Sequence, residues 1–250
     1  MLDHPSRLYI RSLHVEGPLP QDSYLNHLPA VQHLLRHGLE LHVPVTVLVG
    51  ENGTGKSTLM EALAIATGFN PEGGSRNFRF ETVQAHSNLH EHLRVVKGVA
   101  RSRDGFFLRA ESFFNASTYI DETSREDRSM LMDYGGRSLH ERSHGEAFLS
   151  LVQNRFGGHG LYLLDEPEAA LSPMRLMTLL CQMHLLVEED SQLIIATHSP
   201  ILMAYPGAEV LELGPEGITP TDWRQTEHYQ VTKAFLDAPE RMLSHLLEEG

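Results

Sequence analysis

A glycine-rich segment is the part of the sequence whose residue types and spacing most directly predict chemistry. Residues 50–57 read GENGTGKS, which satisfies the pattern GxxxxGK(S/T), and they lie between an apolar segment and a run of helix formers. Glycines let backbone amides converge on a phosphate, and a helix that begins near Lys56 adds the positive end of its dipole. Lys56 can reach β- and γ-phosphates, and the Ser57 hydroxyl can ligate magnesium. A glycine-rich turn without nucleotide is the alternative. The predicted nucleotide-binding residues of this loop are Asn52, Gly53, Thr54, Gly55, Lys56, Ser57 and Thr58.

Two adjacent carboxylates follow another apolar segment, residues 161–164. Asp165 would hold the magnesium ion, directly or through water. Glu166 would face the other side of the strand, because successive side chains alternate, and could orient or deprotonate an attacking water. Mere loop polarity is the alternative explanation for two acids at a strand end. Their combination with a phosphate-binding loop favours a hydrolytic site.

The elements that must position these residues alternate between strand-like and helix-like patterns. Such alternation predicts a largely parallel sheet covered by helices, so the expected fold class is α/β. Predicted strands cover residues 8–15, 43–49, 161–164, 193–196 and 210–213, and predicted helices cover residues 28–39, 57–67, 143–156 and 173–187.

An antiparallel β-subdomain is predicted over residues 78–114. The segment contains short β-like runs, and Asp104-Gly105 is a hairpin signal between two of them. The runs cover residues 78–83, 93–100 and 106–109.

Two helical regions complete the predicted single domain of residues 1–250. Residues 115–158 are predicted to form a small helical lobe. Residues 227–250 have an amphipathic helical pattern and are expected to pack on the domain. An exposed helix that binds a partner is the alternative for this tail.

Composition and charge argue against several classes of protein. The formal net charge of −13 disfavours a broadly basic, nonspecific nucleic-acid binder, because such binding neutralises phosphates with Lys and Arg. A local basic patch over residues 94–109 is the alternative to solvent-facing strand residues. No apolar run long enough for a membrane span and no export signal is visible, so membrane insertion is not expected. The lone cysteine, Cys181, fits a reducing, cytoplasmic compartment.

The sequence contains 16 histidines, a number that makes zinc binding an alternative to surface imidazoles. His86, His90 and His92 lie close together, and His33 and His37 have helical spacing. No cysteine pair and no HExxH motif accompanies them, so surface imidazoles are favoured over a metal site.

The order of motifs resembles that of ABC-type ATPases, and in particular the soluble branch with SMC-like, RecF-like and OLD-type proteins. The segment SHGE has a physical interpretation of its own, because Ser143 with Glu146 three residues later forms a capping box at a helix start. An ordinary helix cap is thus the alternative there. After the phosphate loop, the motifs are SHGE at residues 143–146, DEP at 165–167, EAALSP at 168–173 and THS at 197–199.

The resemblance implies roles for several of these residues. Ser143 and Gly145 would meet the γ-phosphate held by a second subunit, which implies an ATP-dependent homodimer. His198 would contact the γ-phosphate and the attacking water. Glu166 and Lys56 would act with His198 as catalytic residues.

The sequence departs from the transporter-type pattern at several positions. SHGE replaces the full signature LSGGQ, and Ser172 replaces an acidic residue of the following loop. No glutamine stands where the family places a metal-contacting glutamine. Glu111 is the predicted substitute as a metal ligand, and Gln84 is the other candidate.

The choice of ATP, with Mg²⁺ as the metal, is implied by the family, since no NKxD-type guanine-reading motif is visible. Tyr24 lies at a workable distance upstream of the loop to stack on adenine. In the soluble branch, residues near the first strand tend to hold the base, which makes Arg7 or Arg11 competing candidates.

The predicted function is a cytoplasmic, ATP-driven dimerising switch that acts in nucleic-acid maintenance or defence. Two chains would enclose two MgATP, hydrolysis would open the pair, and a protein partner or nucleic acid would respond. The segment between residues 115 and 143 is too short for the coiled-coil arm of SMC proteins, so the chain would be a bare head. The alternatives are the nucleotide-binding subunit of a transporter and a slow ATP-dependent switch that recruits a protein partner.

Overall fold

The computed structural model describes residues 8–75, 87–113, 117–118, 120 and 138–248. The main feature of its fold is a six-stranded sheet. The order of its strands is β5-β6-β7-β3-β8-β9, and all neighbours are parallel except β9, which is antiparallel to β8. In chain order the strands are β1 (Ile10–Val15), β2 (Leu39–Glu40), β3 (Val45–Val49), β4 (Leu93–Lys97), β5 (Asp104–Arg109), β6 (Gly160–Asp165), β7 (Gln192–Ala196), β8 (Glu209–Gly214) and β9 (Gly217–Pro220).

Helices cover both faces of this sheet. Every residue of β3, β6 and β7 is buried, as expected for parallel strands with apolar layers on both sides. The predicted α/β fold with a mainly parallel sheet is confirmed. The helices are α1 (Pro29–Arg36), α2 (Lys56–Thr67), α3 (Leu89–His92), α4 (His144–Arg155), α5 (Pro173–Glu188), α6 (Pro200–Met203), α7 (Glu227–Asp237) and α8 (Pro239–Glu248).

The alternation of side chains along β6 divides the core into two apolar layers. Tyr162 and Leu164 pack in one layer with residues of α4 and α5, whereas Leu161 and Leu163 pack in the other with residues of α1 and α2. The sheet is therefore packed between two layers of helices. The carboxyl ends of β3, β6 and β7 emerge together at one edge, which is where ligands bind in sheets of this kind.

A smaller antiparallel sheet has the strand order β2-β1-β4. The predicted antiparallel β-subdomain of residues 78–114 is wrong in its composition, because β4 pairs with β1 while β5 runs parallel to β6 in the main sheet. Asp104-Gly105 starts β5 and makes no hairpin. Phe106, Phe107 and Leu108 explain the outcome, since three successive buried apolar side chains need cover on both faces of a strand. The predicted run at 78–83 lies outside the described residues.

Gln192 joins the two sheets. Its Oε1 accepts hydrogen bonds from the backbone amides of Tyr9 and Ile10, both at 2.9 Å, and its Nε2 donates to the Ile10 carbonyl at 2.9 Å. Gln192 is buried, so these contacts satisfy polar groups that water cannot reach. The small sheet is thus fixed to the start of β7.

Beyond its anchored first turn, the tail does not pack on the domain as predicted. It forms two helices, because Pro239 lacks an amide hydrogen and cannot continue α7. No residue of α7 is buried, and Leu236 and Leu247 are 70% and 75% exposed. Its amphipathic pattern therefore predicts helices correctly and their burial wrongly.

The predicted helical lobe of residues 115–158 is described only in part. Its carboxyl-terminal portion contains α4, and residues 117–118 and 120 are helical. Residues 121–137 lie outside the described part of the chain. Among the described helices, none combines the length and the apolar character that crossing a membrane requires.

Candidate active site

The glycine-rich segment forms the connection from β3 to α2. Gly50 has a φ of 140°, and a Cβ at this position would lie 2.3 Å from the carbonyl oxygen of Leu213. Gly55 caps α2 with a φ of 99°, in the left-handed region that favours glycine. The helix begins at Lys56, so its unpaired first amides face the loop. This backbone cradle at a helix amino terminus is suited to a phosphate.

The functional groups of Lys56 and Ser57 lie against the loop and the next strand. Lys56 Nζ donates to the carbonyl oxygens of Gly50 at 2.7 Å and Glu51 at 2.9 Å. Burial lowers the pKa of Lys56, although the nearby carboxylates act in the opposite direction. The Ser57 hydroxyl donates to Asp165 Oδ1 at 3.2 Å. The predicted loop and the predicted strand-end acid are therefore in direct contact.

Asp165 ends β6 and is only 3% exposed. Burial raises the pKa of Asp165 to about 6, although Arg109 and the Ser57 hydroxyl act in the opposite direction. Arg109 Nε lies 3.4 Å from Asp165 Oδ2, and its Nη1 lies 3.4 Å from Glu61 Oε2. A carboxylate beside a hydroxyl offers the oxygen ligands that Mg²⁺ prefers.

Glu166 leaves the strand in an uncommon backbone conformation. Its φ of 50° is in the left-handed region, which residues with a Cβ rarely adopt. The Glu166 amide donates to the Ala196 carbonyl at 2.9 Å, which fixes the turn against the end of β7. The prediction that strand alternation sets the direction of this side chain is wrong, because the residue lies past the strand. Its carboxylate is 42% exposed and can meet solvent water.

The loop that carries His198 follows β7 and is held by Glu168. The Thr197 hydroxyl donates to Glu168 Oε2 at 2.7 Å, and the His198 amide donates to Oε1 of the same carboxylate. Glu168 lies in a short 3-10 turn, Pro167–Ala170, directly after Glu166. The turn after β6 and the loop after β7 therefore form one connected unit.

The His198 ring lies between Glu166 and a residue from the tail. Its Nε2 is 3.6 Å from Glu166 Oε1, longer than a hydrogen bond, and its Nδ1 is 2.7 Å from Nε2 of His228. Burial lowers the pKa of His198, and the positive charge of Lys56 acts in the same direction. Nε2 is buried and has no hydrogen-bond partner within the described part of the chain.

Ser143 and Gly145 stand at the start of α4. The Ser143 amide donates to Glu146 Oε2 at 3.0 Å, and Ser143 caps the helix in a capping box with Glu146. Arg175 reaches both residues, with Nη1 3.4 Å from Ser143 Oγ and Nη2 3.1 Å from Glu146 Oε1. Gly145 is packed against the 3-10 turn, since a Cβ there would lie 2.7 Å from the Ala170 carbonyl oxygen. The start of α4 is thus adjacent to the turn that follows Glu166.

Two family profiles match the sequence. One, described as "AAA domain", matches residues 33–129, which include the glycine-rich loop. The other, described as "AAA domain, putative AbiEii toxin, Type IV TA system", matches residues 140–204, which include the start of α4, the end of β6 and His198. Among solved structures, an inward-facing ABC transporter described as of the metal-chelate type superposes with a TM-score of 0.52. The two AAA-domain profiles and this structural match support the fold of an ABC-type P-loop ATPase.

The similarity of this chain to known structures is one of fold. The metal-chelate-type transporter is 17% identical, and the match covers 90% of this chain and 88% of that chain. CbiO1 from Clostridium perfringens, part of the ABC transporter complex CbiONQ, is 19% identical over 96% and 99% of the two chains, with a TM-score of 0.49. The SMC head domain from Thermotoga maritima is 15% identical over 86% and 99%, with a TM-score of 0.45. No curated protein matches the sequence.

The remaining predicted site residues stay predictions. Glu111 is 79% exposed, and its Oε2 pairs with Arg109 Nη2 at 3.0 Å, so the carboxylate predicted to hold Mg²⁺ is engaged by a guanidinium group. Tyr24 is 55% exposed and Arg11 is exposed as well, which leaves both accessible to a base. Gln84 and Arg7 lie outside the described residues.

The histidine clusters do not form a metal site in the described ranges. No group of three or more His, Cys, Asp or Glu side chains there could hold a metal ion. The rings of His33 and His37 are 5.1 Å apart, and Cys181 is exposed. His86 lies outside the described residues.

Three residues of the candidate site were not predicted from the sequence. Arg109 contacts Asp165, Glu168 holds the His198 loop, and His228 contacts the His198 ring. The contact of Arg109 with Asp165 depends on the pairing of β5 with β6, which the sequence did not predict. The other two depend on contacts between distant segments, which the spacing of residues does not show.

Proposed function

We propose that this ATPase binds MgATP at residues 50–57 and hydrolyses it, and that a second copy of the chain completes the site. One observation carries the proposal: three distant segments bring their polar groups together at the carboxyl edge of the main sheet. The residues are Lys56 and Ser57, Asp165 and Glu166, and His198.

The phosphates would bind at the amino terminus of α2. The glycine cradle supplies backbone amides there, and Lys56 supplies a positive charge that is buried beside the loop. Ser57 and Asp165 would hold Mg²⁺, since their oxygens already lie 3.2 Å apart, and Glu111 is the further predicted ligand. When bound, Mg²⁺ neutralises charge on the phosphates.

Hydrolysis would depend on Glu166 and His198. Glu166 is accessible to solvent at the strand end, where its carboxylate would orient or deprotonate the attacking water. His198 directs a buried, unpartnered Nε2 to the same space and would donate to a γ-phosphate oxygen. The left-handed backbone of Glu166 supports this assignment, because strained conformations cluster at functional positions.

The second copy would contribute Ser143 and Gly145. Each lies at the capped start of α4, a place where backbone amides attract an anion. In one chain, Gly145 is packed against the turn that follows Glu166. Binding of a γ-phosphate across the dimer would therefore change the surroundings of Glu166, the proposed water-activating residue, in both chains.

The cellular process in which this switch acts is proposed only as a broad class. The description of the family that matches residues 140–204 refers to a toxin and a type IV TA system, which supports a role in defence. A protein partner or a nucleic acid would respond to the dimer.

The test of hydrolysis compares Glu166→Gln with the parent chain and with Glu188→Gln. Glu188 is an exposed acid at the end of α5, remote from the strand ends of the site. We expect Glu166→Gln to lower kcat about 100-fold while MgATP binding persists, because only the acid–base group is removed. Glu188→Gln should keep the parent rate. Equal turnover in Glu166→Gln and the parent would show that Glu166 is not the base.

A further inference from the structure

His228 contacts the ring predicted to touch the γ-phosphate. It is the second residue of α7, and its Nε2 lies 2.7 Å from His198 Nδ1, with the two rings tilted by 55° at a centroid distance of 4.7 Å. The distance is that of a hydrogen bond between ring nitrogens. The tail therefore reaches the hydrolytic side of the site, although the rest of α7 is exposed.

The first turn of α7 is firmly anchored. Thr226 is fully buried, accepts a hydrogen bond from the Tyr229 amide at 3.4 Å and donates to the Trp223 carbonyl at 2.7 Å. Trp223 packs against the apolar layer that contains α4 and α5, and its ring meets Tyr229 edge-on at 4.8 Å. Thr226 also lies 3.6 Å from the sulfur of Met203 in α6, the helix that follows the His198 loop. His228 is thus held at a fixed position relative to His198.

The surroundings of the two rings decide which nitrogen carries the proton. A hydrogen bond between two neutral imidazoles needs one donor and one acceptor, so each ring has a single defined tautomer. His198 Nε2 faces Glu166 Oε1 at 3.6 Å, where a lone pair would be repelled by the carboxylate and an N–H would be attracted. The proton of His198 therefore belongs on Nε2, and its Nδ1 accepts from His228 Nε2–H.

Burial and the positive charge of Lys56 favour the neutral form of His198. Lys56 lies on one side, and the positive end of the α7 dipole lies at His228. Glu166 is the opposing negative charge. A neutral His198 with its proton on Nε2 is a hydrogen-bond donor toward the nucleotide side of the site.

We propose that His228 is a positioning residue that holds His198 as the Nε2–H tautomer and aims this donor at the γ-phosphate. The expected kinetic effect of His228 rests on the proposed ATP hydrolysis. The assignment of the tautomer rests on the geometry around the rings and does not require hydrolysis. His228 touches no reacting atom, and its effect passes through His198.

The kinetic test uses His228→Ala, His228→Gln and, as a matched control, His245→Ala on the exposed face of α8. We expect His228→Ala to lower kcat about tenfold with little change in KM, as partners that orient an active ring typically do. His228→Gln retains an amide donor and should recover most of the rate. His245→Ala should equal the parent. Equal rates in His228→Ala and the parent would overturn the proposal.

A double-mutant cycle shows whether His228 acts through His198. The variant that carries both His198→Ala and His228→Ala should hydrolyse ATP as slowly as His198→Ala alone, because the second change has nothing left to orient. Two effects that multiply would instead assign His228 an independent role and contradict the proposal.

Nitrogen-15 NMR of the histidine rings tests the tautomer without any turnover. In the nucleotide-free parent chain, His198, assigned by comparison with His198→Ala, should show the Nε2–H tautomer. His228→Ala should show a mixture of tautomers at His198, whereas His245→Ala should not. An Nδ1–H tautomer in the parent, or an unchanged His198 in His228→Ala, would overturn the proposal. If the parent has no ATPase activity but gives these spectra, the proposed hydrolysis fails and the positioning role of His228 stands.

Discussion

Glu166 and Glu168 follow the same buried strand and serve different tasks. Glu166 turns out of β6 in a left-handed conformation and exposes its carboxylate beside His198. Glu168 turns back and binds the Thr197 hydroxyl and the His198 amide. A left-handed residue with a side chain costs about 1–3 kcal/mol and persists only where its surroundings determine it. In the proposed mechanism, Glu166 would transfer the proton, whereas Glu168 positions the neighbouring loop.

A substitution at Glu168 should affect the rate more than the binding of nucleotide. Burial raises the pKa of Glu168, although its hydrogen bonds from the His198 amide and the Thr197 hydroxyl act in the opposite direction. In Glu168→Gln the side chain has one acceptor oxygen, so one of these two donors loses its partner. We expect kcat to fall about tenfold with a nearly unchanged Kd for MgATP, measured by steady-state hydrolysis and calorimetry. A weaker Kd with an unchanged kcat would contradict the positioning role.

At this scale the motifs predicted the residues that meet at the site, and the reason is local. The sequence GENGTGKS and the strand-end pair Asp165-Glu166 each contain their own structural signal. Arg109 and His228 carry no such signal, because each acts through a residue far away in the chain. Contacts of this kind form only when the sheet and the tail are assembled, so the spacing of residues in the sequence does not predict them.

Asp104 illustrates how the elements around the site are held together. It lies at the start of β5 and accepts hydrogen bonds from Arg155 Nη1 at 2.8 Å, Tyr162 Oη at 2.7 Å and the Gly157 amide at 3.1 Å. Phe156 stacks on Tyr162 with ring centroids 4.3 Å apart. One carboxylate therefore ties the end of α4 to β5 and β6, and α4 is the helix that begins at Ser143.

The stability of this junction should depend on pH. Burial alone would raise the pKa of Asp104, but hydrogen bonds from Arg155 and Tyr162 outweigh burial and lower it. A carboxyl whose pKa is lowered on folding stabilises the native state above its unfolded pKa, near 4, and loses this effect as the pH falls through the folded value. We expect Asp104→Asn to lower the free energy of unfolding by about 1–3 kcal/mol at pH 7. The difference between Asp104→Asn and the parent should shrink below about pH 4.

Urea denaturation of both proteins across this pH range measures the effect. A difference that stays constant from pH 7 to pH 3 would show that the charge of Asp104 is irrelevant to the junction.

The elements themselves were predictable where burial and periodicity agree. The alternation of apolar strands and helices predicted the parallel sheet, and β3 and α2 lie within a few residues of their predicted bounds. Asp104-Gly105 led to the wrong prediction of a hairpin. A turn-forming pair also fits the start of a strand, and here the Leu161 carbonyl oxygen lies close to Gly105. The burial of the tail was predicted wrongly as well. An apolar stripe predicts a helix, but it does not specify whether the stripe packs against the same chain.

At the scale of the whole molecule, the site is proposed to be half of a working unit. Lys56, Ser57, Asp165, Glu166 and His198 gather at one edge of the main sheet, whereas Ser143 and Gly145 form a second group at the start of α4. The net charge of −13 opposes the approach of two such chains, and salt screens this repulsion. Two bound nucleotides would have to supply the attraction between the copies.

Sedimentation velocity of the Glu166→Gln chain with saturating MgATP, at physiological ionic strength, tests the central claim of a shared ATP site most directly. The substitution is expected to slow hydrolysis about 100-fold, so saturating MgATP keeps the chain in its nucleotide-bound state during the run. The account predicts a dimer with MgATP, a monomer without nucleotide, and a monomer with MgATP when Ser143→Arg is added, because a bulky side chain would then block the shared phosphate. A Glu166→Gln chain that binds MgATP and sediments as a monomer would contradict it.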